Sequence, residues 1–174
     1  VVIDDVGHIN SPNKVKLSKN IIPFLEEARK QNFDIVIVTN QSSISRNIIS
    51  ITGYKKITQR LLSFLPKQIY PDLILASFHL PNNQSNLDKP EWRKPGIGMF
   101  KYAIEKYQYD ISKSIMIGDK ITDLIPASIC GIGKLVFYQS EKHQSELINV
   151  VRWNDQKKDK IKILNEFNTN NFFC

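Results

Sequence analysis

Asp4, Thr39, Lys94 and Asp119 stand where apolar runs stop: after residues 1–3, after residues 34–38, ahead of a helical stretch, and after residues 114–117. Each type has a physical task. Carboxylates from adjacent strands can share a hard divalent cation such as magnesium. That cation cancels their repulsion and neutralises phosphate oxygens. A Thr hydroxyl, neighbouring backbone N–H groups and a Lys can hold the remaining phosphoryl oxygens. A carboxylate facing a metal-bound phosphoryl group can also attack it, giving an aspartyl-phosphate. Singly, these are weak signals. A lone Asp after a strand is more often a cap or turn former, and Gly-Asp is a common turn dipeptide. Their weight comes from all falling, in order, at corresponding strand ends of one fold.

That fold is read from short apolar runs alternating with helical stretches. Strands are expected at residues 1–3, 34–38, 73–76, 114–117 and 134–138, the second being a β-branched run between polar residues. Helices are expected at 17–31 (with Ser18 as N-cap), at 54–65 ending before Pro66, at 97–107, and at 121–130 closed by Gly131. The charged stretch 155–167 reads as a helical tail. Strands apolar on both faces, alternating with helices, make a parallel sheet. Right-handed crossovers turn it into a three-layer, doubly wound α/β fold. Ligands of such folds bind beyond the carboxyl ends of the strands, where the four residues lie. The chain reads as a single domain, with a core at 1–138 and a C-terminal extension at 139–174.

The 174 residues, 41% of them hydrophobic, suffice for one domain with a core. No apolar run is long enough to cross a bilayer, so no membrane association is expected. No leader pattern is read near the start. Because the chain opens on Val1 inside an apolar run, residues ahead of it are expected. With two cysteines, Cys130 in an apolar segment and Cys174, no disulfide framework is read; the expected setting is reducing and cytoplasmic, with Cys130 a small core residue. The net charge of +7 suits anionic partners, but the lysines are scattered and form no stripe.

Four stretches together resemble the haloacid dehalogenase superfamily of phosphatases, and within it the histidinol-phosphate and heptose-bisphosphate phosphatase group. IDDVGHIN at residues 3–10 is similar to that group's D-x-D-G-x-I-N opening, and VTNQSSISR at 38–46 to its V-T-N-Q-S-G-I-x-R stretch. RKPGIGM at 93–99 is similar to R-K-P-x-x-G-M, and IGDKITD at 117–123 to G-D-K-x-x-D. The resemblance runs from Val1 to Tyr138. It implies Asp4 as nucleophile and magnesium ligand, and the backbone carbonyl of Val6 as a further ligand. It implies Thr39 and Asn40 as the phosphate-binding strand end, and Arg93 and Lys94 as a basic pair with Lys94 on the phosphoryl group. Asp119 is implied as the second metal-ligating carboxylate. Lys120, on the substrate side, and Asp123, on the metal side, are implied as its supporting residues. Residues 11–32 leave room for a small flap and one helix, so no large cap domain is expected.

Two positions depart from that pattern. The family's general acid/base stands two residues after the nucleophile, and here it is Val6, which cannot transfer a proton. A positioned acid/base contributes roughly 10²–10⁴ in rate. Asp5 should point away from the Asp4 side of an extended chain. His8 has a suitable ordinary pKa, but the plainer reading of it is a solvent-facing flap residue. The second departure concerns a four-ligand zinc loop carried by close relatives, whose positions here read Ser77, His79, Pro90 and Trp92. One histidine does not hold zinc, so no structural zinc is expected. The loop at 80–92 then needs another source of order, such as packing of Trp92.

Three readings follow. The first is a magnesium-dependent phosphomonoesterase acting on a small phosphorylated metabolite. The second is a nucleic-acid 3′-phosphatase, since RKPGIGMF at 93–100 also resembles the polynucleotide phosphatases; the scattered lysines rank it below the first. The third is a fold member impaired by Val6 that binds phosphate ligands or a protein partner. The sequence leaves the oligomeric state open.

Overall fold

Helix α1 (Ile21–Lys30) places Ile21, Phe24, Leu25 and Ala28 on one buried face, the spacing of a helix laid against a core. In the computed structural model this chain is described at residues 1–3, 9–81, 90–139, 143–157, 161–169 and 172–173. The chain divides into two units, residues 2–88 with 167–174, and residues 89–166 with Val1.

In the first unit, β1 (Val36–Asn40) and β2 (Leu73–Ser77) pair in parallel, from Val36 opposite Leu73 to Asn40 opposite Ser77. Helix α2 (Ile51–Ser63) begins at Ser50, whose hydroxyl accepts the Gly53 N–H at 3.0 Å and so satisfies one of the helix's open donors. Its Ile57 and Leu61 join Val15 and Ile49 in a core cluster with Ile37 and Tyr54 packed on it. A second cluster gathers on α1, where Phe24 meets Phe167, Phe172 and Phe173 at ring-centroid distances of 4.9, 4.7 and 5.0 Å. The residues after 166 therefore help to build this unit's core.

The second unit holds β3 (Ile115–Gly118), β4 (Lys134–Tyr138) and β5 (Ile161–Leu164), all parallel, in the order β3-β4-β5. Around them run α3 (Gly98–Tyr107), α4 (Ile121–Ile129) and α5 (Glu146–Lys157). Leu124, Phe137 and Val150, from α4, β4 and α5, form its core cluster, with Met116, Leu147 and Trp153 packed against it. The expected mixed α/β architecture with parallel strands is what the chain adopts.

Several expected boundaries move. At the start, Ile3 makes an isolated antiparallel bridge with Leu17 instead of belonging to a strand, and Asp4 to His8 lie outside the described residues. That bridge draws Leu17 out of α1, so the helix opens at Asn20, in the left-handed region at φ 59, and Ser18 is not its cap. Strand β1 starts later than residue 34 and runs through Thr39 and Asn40, because the Ile35 N–H is taken by the Asp72 carboxylate at 2.8 Å. The stretch 155–167 is not one helix: α5 ends at Lys157 and β5 follows. Helix α4 ends at Ile129, with Gly131 at φ 78 just beyond it. Cys130 is half-buried there and carries a free thiol, not a place in the core; burial raises its pKa.

Candidate functional site

In the second unit, β3 delivers Asp119 immediately after its last residue, Gly118. The turn into α4 is closed by Asp123: the Lys120 N–H donates to its Oδ2 at 3.2 Å, and the Asp123 N–H donates to the Lys120 carbonyl at 3.0 Å. A carboxylate in the first turn suits the positive end of the helix dipole. Gly118 is required by this turn, because a Cβ there would lie 2.3 Å from the Asp123 Cβ.

Lys94 reaches the same turn. Its Nζ lies 2.7 Å from Asp123 Oδ1, with side-chain exposures of 8% and 10%. Both Asp123 oxygens are thus engaged, one by the Lys94 ammonium and one by the Lys120 N–H. The Lys94 backbone is set by a tight loop ahead of α3, in which the Gly96 N–H donates to the Arg93 carbonyl at 2.6 Å. A Cβ on Gly96 would come within 2.3 Å of the Glu91 carbonyl oxygen, which explains a glycine one residue after the cis Lys94–Pro95 bond. Trp92 packs edge-on against Tyr102 of α3, with ring centroids 5.7 Å apart. Arg93 is half-buried and Lys120 is exposed.

Asp119 has a partner that the sequence does not announce. His143, between β4 and α5, places its Nδ1 3.1 Å from Asp119 Oδ2. Nearby, the Ile121 N–H donates to Glu146 Oε2 at 3.2 Å, tying the first residues of α5 to the first residue of α4. Asp119 offers a hard carboxylate oxygen, the donor type that magnesium takes. Among the described residues no group of three His, Cys, Asp or Glu side chains gathers. The further ligands implied above, Asp4 and the Val6 carbonyl, fall outside the described residues, as does His8.

In the first unit, Thr39 and Asn40 are the last residues of β1, and Thr39 Oγ1 accepts from Gln41 Nε2 at 3.0 Å. The Gln41 N–H donates to the Ser77 carbonyl at 2.6 Å, holding the ends of β1 and β2 together. Ser77 and His79 stand at two of the positions that the family resemblance associates with a zinc loop. Here they are buried, and Ser77 Oγ lies 3.2 Å from His79 Nδ1. Thr39 and Asn40 thus end β1 in one unit, while in the other Asp119 follows β3, Asp123 lies in the first turn of α4 and Lys94 precedes α3.

Comparison with known proteins adds a family. The family model described as polynucleotide kinase 3 phosphatase matches residues 7–165. The D-glycero-beta-D-manno-heptose-1,7-bisphosphate 7-phosphatase of Haemophilus ducreyi is 28% identical over 156 residues, covering 83% of this chain and 86% of that protein. Among solved structures, the D,D-heptose 1,7-bisphosphate phosphatase from B. bronchiseptica, complexed with magnesium and phosphate, aligns with a TM-score of 0.77 at 19% identity. It covers 95% of this chain and 88% of its own. A putative HAD-like phosphatase from Mesorhizobium loti aligns with a TM-score of 0.72 at 25% identity, over 80% of this chain and 68% of its own. No helix among the described residues is long and apolar enough to cross a membrane.

Proposed function

The chain belongs to the polynucleotide kinase 3 phosphatase family and shares the fold of the haloacid-dehalogenase-like phosphatases, and from that premise we propose that it is a phosphomonoesterase acting on a small sugar phosphate. The observation that carries this reading is the buried Lys94–Asp123 pair at 2.7 Å, on the turn that also carries Asp119. An ammonium has more than one N–H donor, so Asp123 can fix Lys94 while its head also meets a phosphoryl oxygen. The resemblance to heptose bisphosphate phosphatases over most of the chain supports a sugar phosphate as substrate.

In this reading Asp4 attacks phosphorus, the P–O bond to the sugar breaks as the aspartyl-phosphate forms and the sugar hydroxyl leaves with a proton from solvent, and water then releases phosphate from Asp4. Thr39, Asn40, Arg93 and Lys94 hold the phosphoryl oxygens, with Lys120 at the substrate side. Magnesium would be held by Asp4, the Val6 carbonyl and Asp119, with Asp123 supporting, and it would neutralise phosphoryl charge when bound. Val6 leaves the leaving-group oxygen without the family's proton donor, so turnover is slow rather than absent. A nucleic-acid 3′-phosphate is the second reading, favoured by the family description and the net charge of +7.

The test is phosphate release with magnesium from heptose 1,7-bisphosphate, other sugar phosphates, histidinol phosphate and a 3′-phosphorylated oligonucleotide. The native chain should favour a sugar phosphate. Val6→Asp should raise its rate roughly 10²-fold or more, and Asp4→Asn should abolish it. Preference for the oligonucleotide would replace this reading with the second one. Activity surviving in Asp4→Asn would remove the covalent mechanism.

A further inference from the structure

We propose that His143 is a positioning residue for Asp119, holding the carboxylate so that its other oxygen is presented to the cation; this rests on the reading of Asp119 as a magnesium ligand. The pair is close, at 3.1 Å, and shielded, with side-chain exposures of 14% and 17%. An ionised carboxylate can only accept, so a hydrogen bond in this contact is one that His143 Nδ1 donates. The bond takes Oδ2. Among the described residues Oδ1 makes no hydrogen bond.

The histidine is placed there by more than its attraction to Asp119. The segment that carries it is tied to the same turn through Glu146, whose Oε2 accepts the Ile121 N–H at 3.2 Å. It is also closed on itself, since the Leu147 N–H donates to the Gln144 carbonyl at 3.2 Å. The carboxylate that Lys94 meets on this turn is that of Asp123, 2.7 Å from its Nζ. Two carboxylates four residues apart therefore have separate holders, Lys94 for Asp123 and His143 for Asp119. A carboxylate gripped by one oxygen has lost much of its rotational freedom before a cation arrives, and outer groups of this kind tune metal affinity by roughly 10–100-fold.

The experiment is calorimetric titration of the full chain with magnesium alone, without substrate, for the native protein, His143→Leu, His143→Asn and Asp119→Asn. His143→Leu removes the N–H at similar bulk and should weaken magnesium roughly 10–100-fold. His143→Asn keeps an N–H that reaches the same acceptor and should stay within a few-fold of native. If His143→Leu loses its melting transition, His143→Phe replaces it as the ring without a donor. Unchanged or tighter binding in the donorless variant overturns the proposal, because His143 would then be idle or a competitor of the cation. Equal weakening by Leu and Asn also overturns it, because volume and not the N–H would matter. Magnesium binding that is absent in the native chain, or unaffected by Asp119→Asn, removes the reading of Asp119 itself and the proposal with it. Loss in Asp119→Asn beside no loss in His143→Leu leaves Asp119 standing and sinks His143 alone.

Discussion

Lys94 and Asp123 hold one another as a close ion pair. Both are about nine-tenths buried. Removing one partner of such a pair leaves an uncompensated charge out of water and costs about 3–5 kcal/mol. Lys94→Met should therefore lower the unfolding free energy read from urea titration by that amount, and Lys94→Met combined with Asp123→Leu should recover most of it. An equal loss in the single and double variants would mean that packing, not charge, is what Lys94 supplies. At this scale much was legible in advance. Lys94, Asp119 and Asp123 are separated by sequence but stand at fixed offsets from strand ends and helix starts, and Thr39 and Asn40 likewise end β1. His143 was not legible. A single histidine in a charged connecting segment carries no period and no spacing, and only the folded chain shows that it meets Asp119.

Between elements, the Asp72 carboxylate joins three of them. It accepts the Ile35 N–H at 2.8 Å ahead of β1 and lies 2.8 Å from Arg29 Nη1 at the end of α1, while its own N–H, one residue before β2, donates to the Ile35 carbonyl. Arg29 also donates to the Phe33 and Tyr70 carbonyls at 3.2 and 2.6 Å. Partial burial pushes the Asp72 pKa up, but the hydrogen bonds from Arg29 and Ile35 and the Arg29 charge prevail, and the pKa lies below its ordinary value. A group with a depressed folded pKa stabilises the fold above its unfolded pKa, about 3.9 for Asp, and loses that contribution as pH falls through the folded value. Asp72→Asn should thus be less stable than native at pH 7, with the gap closing below about pH 4. A gap independent of pH, read from urea midpoints across that range, would mean that the carboxylate's charge contributes nothing.

The elements themselves were read unevenly. Helices α2, α3 and α4 declare themselves through apolar spacing and clear stops. Strand β5 does not. Its Ile161, Lys162, Ile163 and Leu164 are too few for a period, and the charged residues before it suggested a helix. Ile3 shows the opposite error: an apolar run next to the start reads as a strand, yet its pairing depends on a distant Leu17 that no local pattern reveals.

For the molecule as a whole, the residues after 166 matter beyond their number. Phe172 is fully buried, Phe167 is 2% exposed, and both rest on Phe24 of α1. Phe172→Ala should cost about 3–5 kcal/mol, the usual range for removing a buried ring. Hydrogen exchange should show the loss concentrated in α1, β1 and β2, with β3 to β5 retaining native protection. Uniform loss over the chain would contradict the division into units drawn here. The C-terminal stretch was expected as an extension to a core ending at residue 138, and its charged composition gave no hint that three phenylalanines would converge on Phe24.

That convergence has a consequence for the order in which the protein comes into being. Apart from Val1, the unit of residues 89–166 is one uninterrupted run of chain, complete as soon as the ribosome has released it. The unit that begins at residue 2 is not, because part of its interior is encoded by codons 167 to 173. Domains generally fold from the amino end as synthesis proceeds; here the apolar face around Phe24 stays without its phenylalanine partners until translation has passed the segment in between.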